Sequence, residues 1–246
     1  MSKQAKEFIG CKVKNLGRGN IMGKSEKKSK EKFVFNYDIA ESIIEYAHKI
    51  TQEGLTKGTW GNISVRDGGY IYITPSGFPY DKLTPKYITV VNYDGKKIYG
   101  ELNPSSELPL HIEIYEKRAD IHAIIHTHPV YSTIVSITQK EIPPIVEDAV
   151  MILGEYLHVS EYALPGTVEL AQNAFKALEY NHCVFLRNHG LVTVGENIHE
   201  AFIATLVAEK TAQIYIEALK IGSVSVLPDE HAKLLREKYL KSYRQK

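Results

Sequence analysis

Two Asp-Gly turns limit the fold more than anything else in this chain. Asp67-Gly68-Gly69 lies between the short apolar runs 63–65 and 70–74, and Asp94-Gly95 lies between 88–93 and 97–100. Asp-Gly readily adopts the positive φ that a tight reversal needs, so each stretch reads as a β-hairpin. Two early hairpins make much of the sheet antiparallel. Helical spacing surrounds them. Ile39, Ile43, Ala47 and Ile50 recur ahead of Gly54 and predict an opening helix of about four turns from Tyr37. Further helices are expected at about 106–117, 166–180 and 198–221, and strands at 123–125 and 183–186. In the long last helix the expected buried face is Phe202, Leu206, Ala212, Ile216 and Leu219. Leu227-Pro228-Asp229 then introduces a short charged terminal helix. The expectation is one α/β domain over 37–222 with a C-terminal helix and tail over 223–246.

The composition permits a full core. The 246 residues are 43% hydrophobic and 24% charged, well clear of the signature of disorder. No apolar run approaches the roughly 20 residues that span a bilayer, and the first 30 residues lack a secretory signal's apolar stretch. A cytoplasmic protein without membrane contact is expected. Only Cys11 and Cys183 are present, so a disulfide framework or a thiolate metal site cannot be built and any metal must be held by His and carboxylates. The net charge of +1 conceals a split: residues 1–32 carry 10 Lys or Arg against 3 Glu, and the remainder 20 against 26 acidic residues. The leader has no aromatic interleaving and no apolar helical face, which argues against a nucleic-acid surface and for a flexible, solvated extension. A second reading starts translation at Met22.

The ten histidines carry most of the functional signal. His126-Thr127-His128 follows the apolar run 123–125, and alternate residues of an extended chain point the same way, so both imidazoles can meet one ion. About 0.4 such pairs are expected by chance, so the pair alone decides little. His189, in Arg187-Asn188-His189-Gly190, also sits where an apolar run gives way to a loop. Glu107 after Asn103-Pro104-Ser105-Ser106 can supply a carboxylate, and three His with a carboxylate suit Zn²⁺ or another divalent ion. Taken singly, Glu107 is also an ordinary acidic residue at a helix start. His48, His111, His122, His158, His182, His199 and His231 read as structural or exposed.

Three turns offer hydroxyls and backbone N–H groups to a phosphate: Gly58-Thr59-Trp60-Gly61-Asn62, Thr74-Pro75-Ser76-Gly77 and Pro104-Ser105-Ser106. Each alone is an unremarkable loop. Their order, followed by Glu107, His-x-His and Asn188-His189-Gly190, is informative.

On these segments the sequence resembles the class II aldolase/adducin-head family over about 37–222. The resemblance implies a three-layer α/β/α fold around a mixed, largely antiparallel sheet, assembled as a homotetramer with sites between subunits. It implies that His126, His128, His189 and Glu107 hold zinc or another divalent metal, with Glu107 also moving the substrate proton. Gly61, Asn62, Ser76, Gly77, Ser105 and Ser106 fall where the family holds the substrate phosphate. The implied reaction cleaves a ketose 1-phosphate, such as L-fuculose 1-phosphate, to dihydroxyacetone phosphate and an aldehyde, with the ion as electron sink. A second acid or base must serve the aldehyde oxygen. Where the aldolase pattern has a catalytic Tyr, this chain has Val146-Glu147-Asp148, so Glu147 is the candidate there, and Tyr243 or Tyr239 can supply the family's C-terminal Tyr. The acidic replacement keeps a methylthioribulose-1-phosphate dehydratase-like elimination open. A pentulose-phosphate 4-epimerase is disfavoured by Glu107 where that enzyme has Asp, and a non-catalytic adducin-like head by the intact ligand set.

Overall fold

The computed structural model describes residues 33–138 and 141–243, the side chains of residues 242 and 243 excepted. The expectations for the leader, for Cys11 and for Met22 lie outside those residues. The unit described here begins at Phe35.

Helix α1 (Tyr37–Gln52) opens on Asn36, whose side chain accepts from the backbone N–H groups of Asp38 and Ile39. Both predicted hairpins form. Strands β1 (Asn62–Asp67) and β2 (Tyr70–Ile73) flank Gly68 at φ 55°, and β3 (Thr89–Asn92) and β4 (Lys97–Tyr99) flank Gly95 at φ 74°. Helix α2 (Leu108–Lys117) leads to β5 (Ala123–Thr127), and α5 (Val168–Leu178) to β6 (Cys183–Leu186). Strand β7 (Gly190–Gly195) feeds the long helix α6 (Ile198–Ile221), and α7 (Asp229–Lys238) follows. The remaining helices are α3 (Val130–Thr138) and α4 (Glu147–Leu153).

The seven strands form one sheet in the order β4-β3-β2-β1-β5-β7-β6. Every pairing of named strands is antiparallel, and the parallel component is the isolated bridge between Val159 and Phe185. Alternate residues leave opposite faces, so each strand feeds two cores. Val184 and Leu186 join Leu110, Ile114, Leu170 and Ala174 of α2 and α5 on one side. Cys183 and Phe185 meet Val135, Leu153, Ala204 and Ala208 of α3, α4 and α6 on the other. The result is three layers, helix over sheet over helix. Among the described residues no helix is long and apolar enough to cross a membrane.

The buried face of α6 differs from the expectation. Phe202 and Ala212 are buried as expected, but Ala201, Ala204, Thr205, Ala208 and Thr211 complete the face, while Leu219 is exposed. Small side chains let the helix lie close to the sheet, and Gly195 sits so near that an added Cβ would stand 2.5 Å from the Ala201 nitrogen.

Strands β5 and β7 are equally close. A Cβ on Gly190 would meet the Thr127 carbonyl oxygen at 2.5 Å and His128 Cδ2 at 2.9 Å. Overpacking of this kind costs about 1–3 kcal/mol. Gly190→Ala is therefore expected to lower the urea midpoint by that equivalent, and an unchanged midpoint would contradict the close approach.

Candidate metal and phosphate site

Strand β5 carries the first ligand into the site. His126 is paired in register with Asn62 of β1 on one edge and with Val192 of β7 on the other, so its ring direction is fixed from both sides. Its Nδ1–H donates to the Leu191 carbonyl at 2.9 Å, which leaves Nε2 as the lone-pair nitrogen. His128 follows two residues later. His189 comes from the turn between β6 and β7, where Asn188 takes a left-handed φ of 56° and the His189 N–H closes on the Leu186 carbonyl. The three rings form a near-equilateral triangle with centroids 4.7, 4.8 and 4.8 Å apart. One nitrogen of each lies within 4.8 Å of the others.

Glu107 stands at the start of α2 but makes no capping bond with its side chain. The carboxylate turns to the histidines instead. Oε2 lies 3.1 Å from His126 Nε2 and accepts from Asn62 Nδ2 at 2.9 Å, and Oε1 lies 3.5 Å from His189 Nε2. Buried Glu107 Oε1 has no hydrogen-bond partner. An orphaned carboxylate oxygen facing three convergent imidazoles fits a divalent cation bound by His126, His128, His189 and Glu107.

Protonation follows from burial. Burial and the neighbouring His126 and His189 charges push His128 down to about 3, and burial with His126 pushes His189 down to about 4. Both are neutral near pH 7, the state that ligates metal. Burial raises the Glu107 pKa, but His126, His189 and the Asn62 amide outweigh it and hold the carboxyl below its ordinary range. Burial lowers His126, yet Glu107 and the Leu191 carbonyl leave it raised.

Beside the histidines lies a cavity of about 610 Å³ lined by Gly61, Asn62, Ser76, Gly77, Ser105, Ser106, Glu107, His128 and His189, together with Thr59, Trp60, Pro75, Pro165 and Asn188. Two of its loops are tied to each other: the Ser76 N–H donates to the Asn103 carbonyl and the Ser105 N–H to the Thr74 carbonyl, each at 3.1 Å. The third is held from behind. The Thr56 hydroxyl donates to the Trp60 carbonyl and the Tyr80 hydroxyl to the Gly61 carbonyl. Gly61 has φ 115°, and a Cβ there would stand 2.7 Å from the His126 carbonyl oxygen, so glycine is required.

A profile of the Class II Aldolase and Adducin N-terminal domain matches residues 41–216. The chain belongs to that family. It is 38% identical over 201 residues to a 5-deoxy-D-ribulose 1-phosphate aldolase of Bacillus thuringiensis, covering 81% of this chain and 94% of that one. It is 37% identical over 202 residues to the L-fuculose phosphate aldolase of Escherichia coli, covering 82% and 94%. A solved L-fuculose 1-phosphate aldolase superposes with a TM-score of 0.81 at 38% identity, covering 83% of this chain and 97% of that one.

Within this class II aldolase-family domain, one of the expected residues stays apart from the cavity. Glu147 is exposed in the first turn of α4 and does not line it, and neighbouring Asp148 pairs with Lys210. Tyr243 closes the turn Tyr239–Tyr243 after α7, which packs on α4, and its side chain lies outside the described residues. Three residues that the sequence did not single out do support the site. Tyr80 and Thr56 hold its loop, and His111, read as structural or exposed, is fully buried with Nε2 2.5 Å from Asn62 Oδ1. The available signal was spacing: His111 is one helical turn beyond Glu107.

The depressed histidines set an acid limit. Burial and the His126 charge push His111 down to about 3. When His111, His128 and His189 have folded pKa values below the ordinary 6.5, the unfolded chain takes up their protons first as pH falls. His126 acts oppositely, so three against one remains. Metal-stripped protein is expected to lose stability as pH falls from about 6.5 towards 4, read as urea midpoints; a midpoint that rises on acidification would contradict this.

Proposed function

We propose that this chain reversibly cleaves a ketose 1-phosphate, such as L-fuculose 1-phosphate or a 5-deoxypentulose 1-phosphate, to dihydroxyacetone phosphate and an aldehyde. It is a class II sugar-phosphate aldolase, a carbon–carbon lyase. The observation that carries the reading is a cluster of three convergent histidines and a buried carboxylate beside one cavity lined by three hydroxyl-bearing loops. Similarity to aldolases of both named substrate types supports it.

His126, His128, His189 and Glu107 would hold the metal, with zinc our assignment for this nitrogen-rich set. When bound, the ion supplies Lewis-acid polarisation of the substrate oxygens and an electron sink for the breaking bond. Thr59, Asn62, Ser76, Gly77, Ser105 and Ser106 bind the phosphate and thereby position the carbon chain. Glu107 holds and returns the proton at the dihydroxyacetone-phosphate carbon. The second acid or base is Glu147 from a neighbouring subunit, since it is exposed outside the cavity of its own chain, or Tyr243. The working assembly is a cytoplasmic homotetramer.

A second reading, elimination of water from a methylthiopentulose 1-phosphate, is favoured by a carboxylate at Glu147 where the aldolase pattern has Tyr. One assay separates the two. Metal-replete protein is offered L-fuculose, D-ribulose, 5-deoxyribulose and methylthioribulose 1-phosphates. Release of dihydroxyacetone phosphate, abolished by chelator, is expected; a dehydrated diketone in its place would favour elimination.

The protein is further expected to bind close to one divalent ion per subunit, and His126→Ala to lose metal and activity together. Trp60, the single tryptophan, is 68% exposed at the cavity rim with its ring 6.2 Å from that of His128. Its fluorescence is therefore expected to change as metal is titrated into wild type and not into His126→Ala.

A further inference from the structure

A line of buried hydrogen bonds runs from the core to the Glu107 carboxylate. Tyr115 Oη lies 2.8 Å from Ser64 Oγ, which lies 2.6 Å from His111 Nδ1. His111 Nε2 lies 2.5 Å from Asn62 Oδ1, and Asn62 Nδ2 lies 2.9 Å from Glu107 Oε2. All five residues are buried.

Chemistry fixes the direction of each bond between Ser64 and Glu107. An ionised carboxylate only accepts, so Asn62 must give its N–H to Glu107 and keep its carbonyl for His111. That carbonyl requires a proton on His111 Nε2. A neutral imidazole then has an accepting Nδ1, to which the Ser64 hydroxyl donates, while the Tyr115 hydroxyl faces both Ser64 Oγ and, at 3.0 Å, the Ser64 carbonyl. From Ser64 onward every donor in the line therefore points towards Glu107. The arrangement needs His111 uncharged, and full burial beside His126 keeps it so, with Glu107 acting in the opposite sense.

The geometry has a regular origin. Asn62 and Ser64 leave the same face of β1, and Glu107 and His111 are one turn apart at the start of α2. An acidic residue at a helix start would otherwise turn back to the N–H groups of its own first turn. Glu107 does not, because Asn62 holds Oε2 and leaves Oε1 as the unsatisfied oxygen.

We propose that His111 is a positioning residue for the aldolase: by fixing the orientation of the Asn62 amide it holds the Glu107 carboxylate out of its capping position and aimed into the cavity. This rests on the reading of Glu107 as the proton-carrying group.

The test compares Glu107→Gln, His111→Gln, His111→Phe and Ser64→Ala, each assayed for kcat, KM, metal content and melting temperature. Gln at 111 keeps a donor for Asn62, whereas Phe keeps the approximate ring size and offers none. His111→Phe is expected to lower kcat by about 10- to 100-fold with KM and metal content near wild type, and His111→Gln to restore most of it. Ser64→Ala, the smaller change, frees Nδ1 to take the proton and is expected to lower kcat in the same sense even if His111→Phe fails to fold. Equal kcat in His111→Phe and wild type, equal losses in Phe and Gln variants, or losses that only track melting temperature would overturn the proposal. Wild-type turnover by Glu107→Gln would instead overturn the role of Glu107 itself.

Discussion

The register of strand β5 is the constraint on which the site depends. Asn62, His126 and Val192 lie abreast across three strands, and His128 and His189 flank the same end of the β5–β7 ladder, beside the Thr127–Leu191 pair. A slip of one residue would turn His126 to the opposite face and carry Asn62 away from Glu107. The surroundings resist such a slip. Ile124 belongs to the core with α2 and α5, Thr193 bonds Thr205 of α6 on the other side, and neither face tolerates an inverted strand. The sheet is thus less a backdrop to the ligands than the device that holds three of them at one point.

Burying a carboxylate is unfavourable unless it is compensated, and Glu107 is compensated asymmetrically. Oε2 accepts from the Asn62 amide and lies 3.1 Å from His126 Nε2; Oε1, 3.5 Å from His189 Nε2, accepts no hydrogen bond. His126 does most to offset the charge, while burial keeps His128 and His189 unprotonated near neutrality. The cluster is therefore built so that a cation satisfies both carboxylate and lone pairs, while a set of protons satisfies them poorly.

Much of this was legible in the sequence, and the particular failures have physical causes. The hairpins and α1 follow from Asp-Gly turns and period, and the convergence of His126, His128 and His189 from their positions at strand exits. Strand β7 was not expected because Gly190-Leu191-Val192-Thr193-Val194-Gly195 is buried on both faces and has no alternation to read. Helix α3 is rich in Val, Ile, Thr and Ser, poor helix formers, and is held by a remote contact: the Glu209 carboxylate accepts from the N–H groups of Tyr131 and Ser132. The α6 face was misjudged because large apolar residues were favoured over the alanines that close packing selects. His111 was passed over because its meaning resides in Asn62 and Ser64, which lie nearly 50 positions earlier and meet it only in the fold.

Among the described residues, no Lys or Arg lines the cavity beside the histidines. Its donors to an anion are hydroxyls, amides and the backbone, held in place by loops whose Trp60 and Gly61 carbonyls are tied back to Thr56 and Tyr80. None of these groups ionises near neutrality. Under the proposed function, such a cradle would take the phosphate through shape and fixed dipoles, and its own contribution to anion binding would stay constant over pH ranges in which the substrate's second phosphate proton comes and goes.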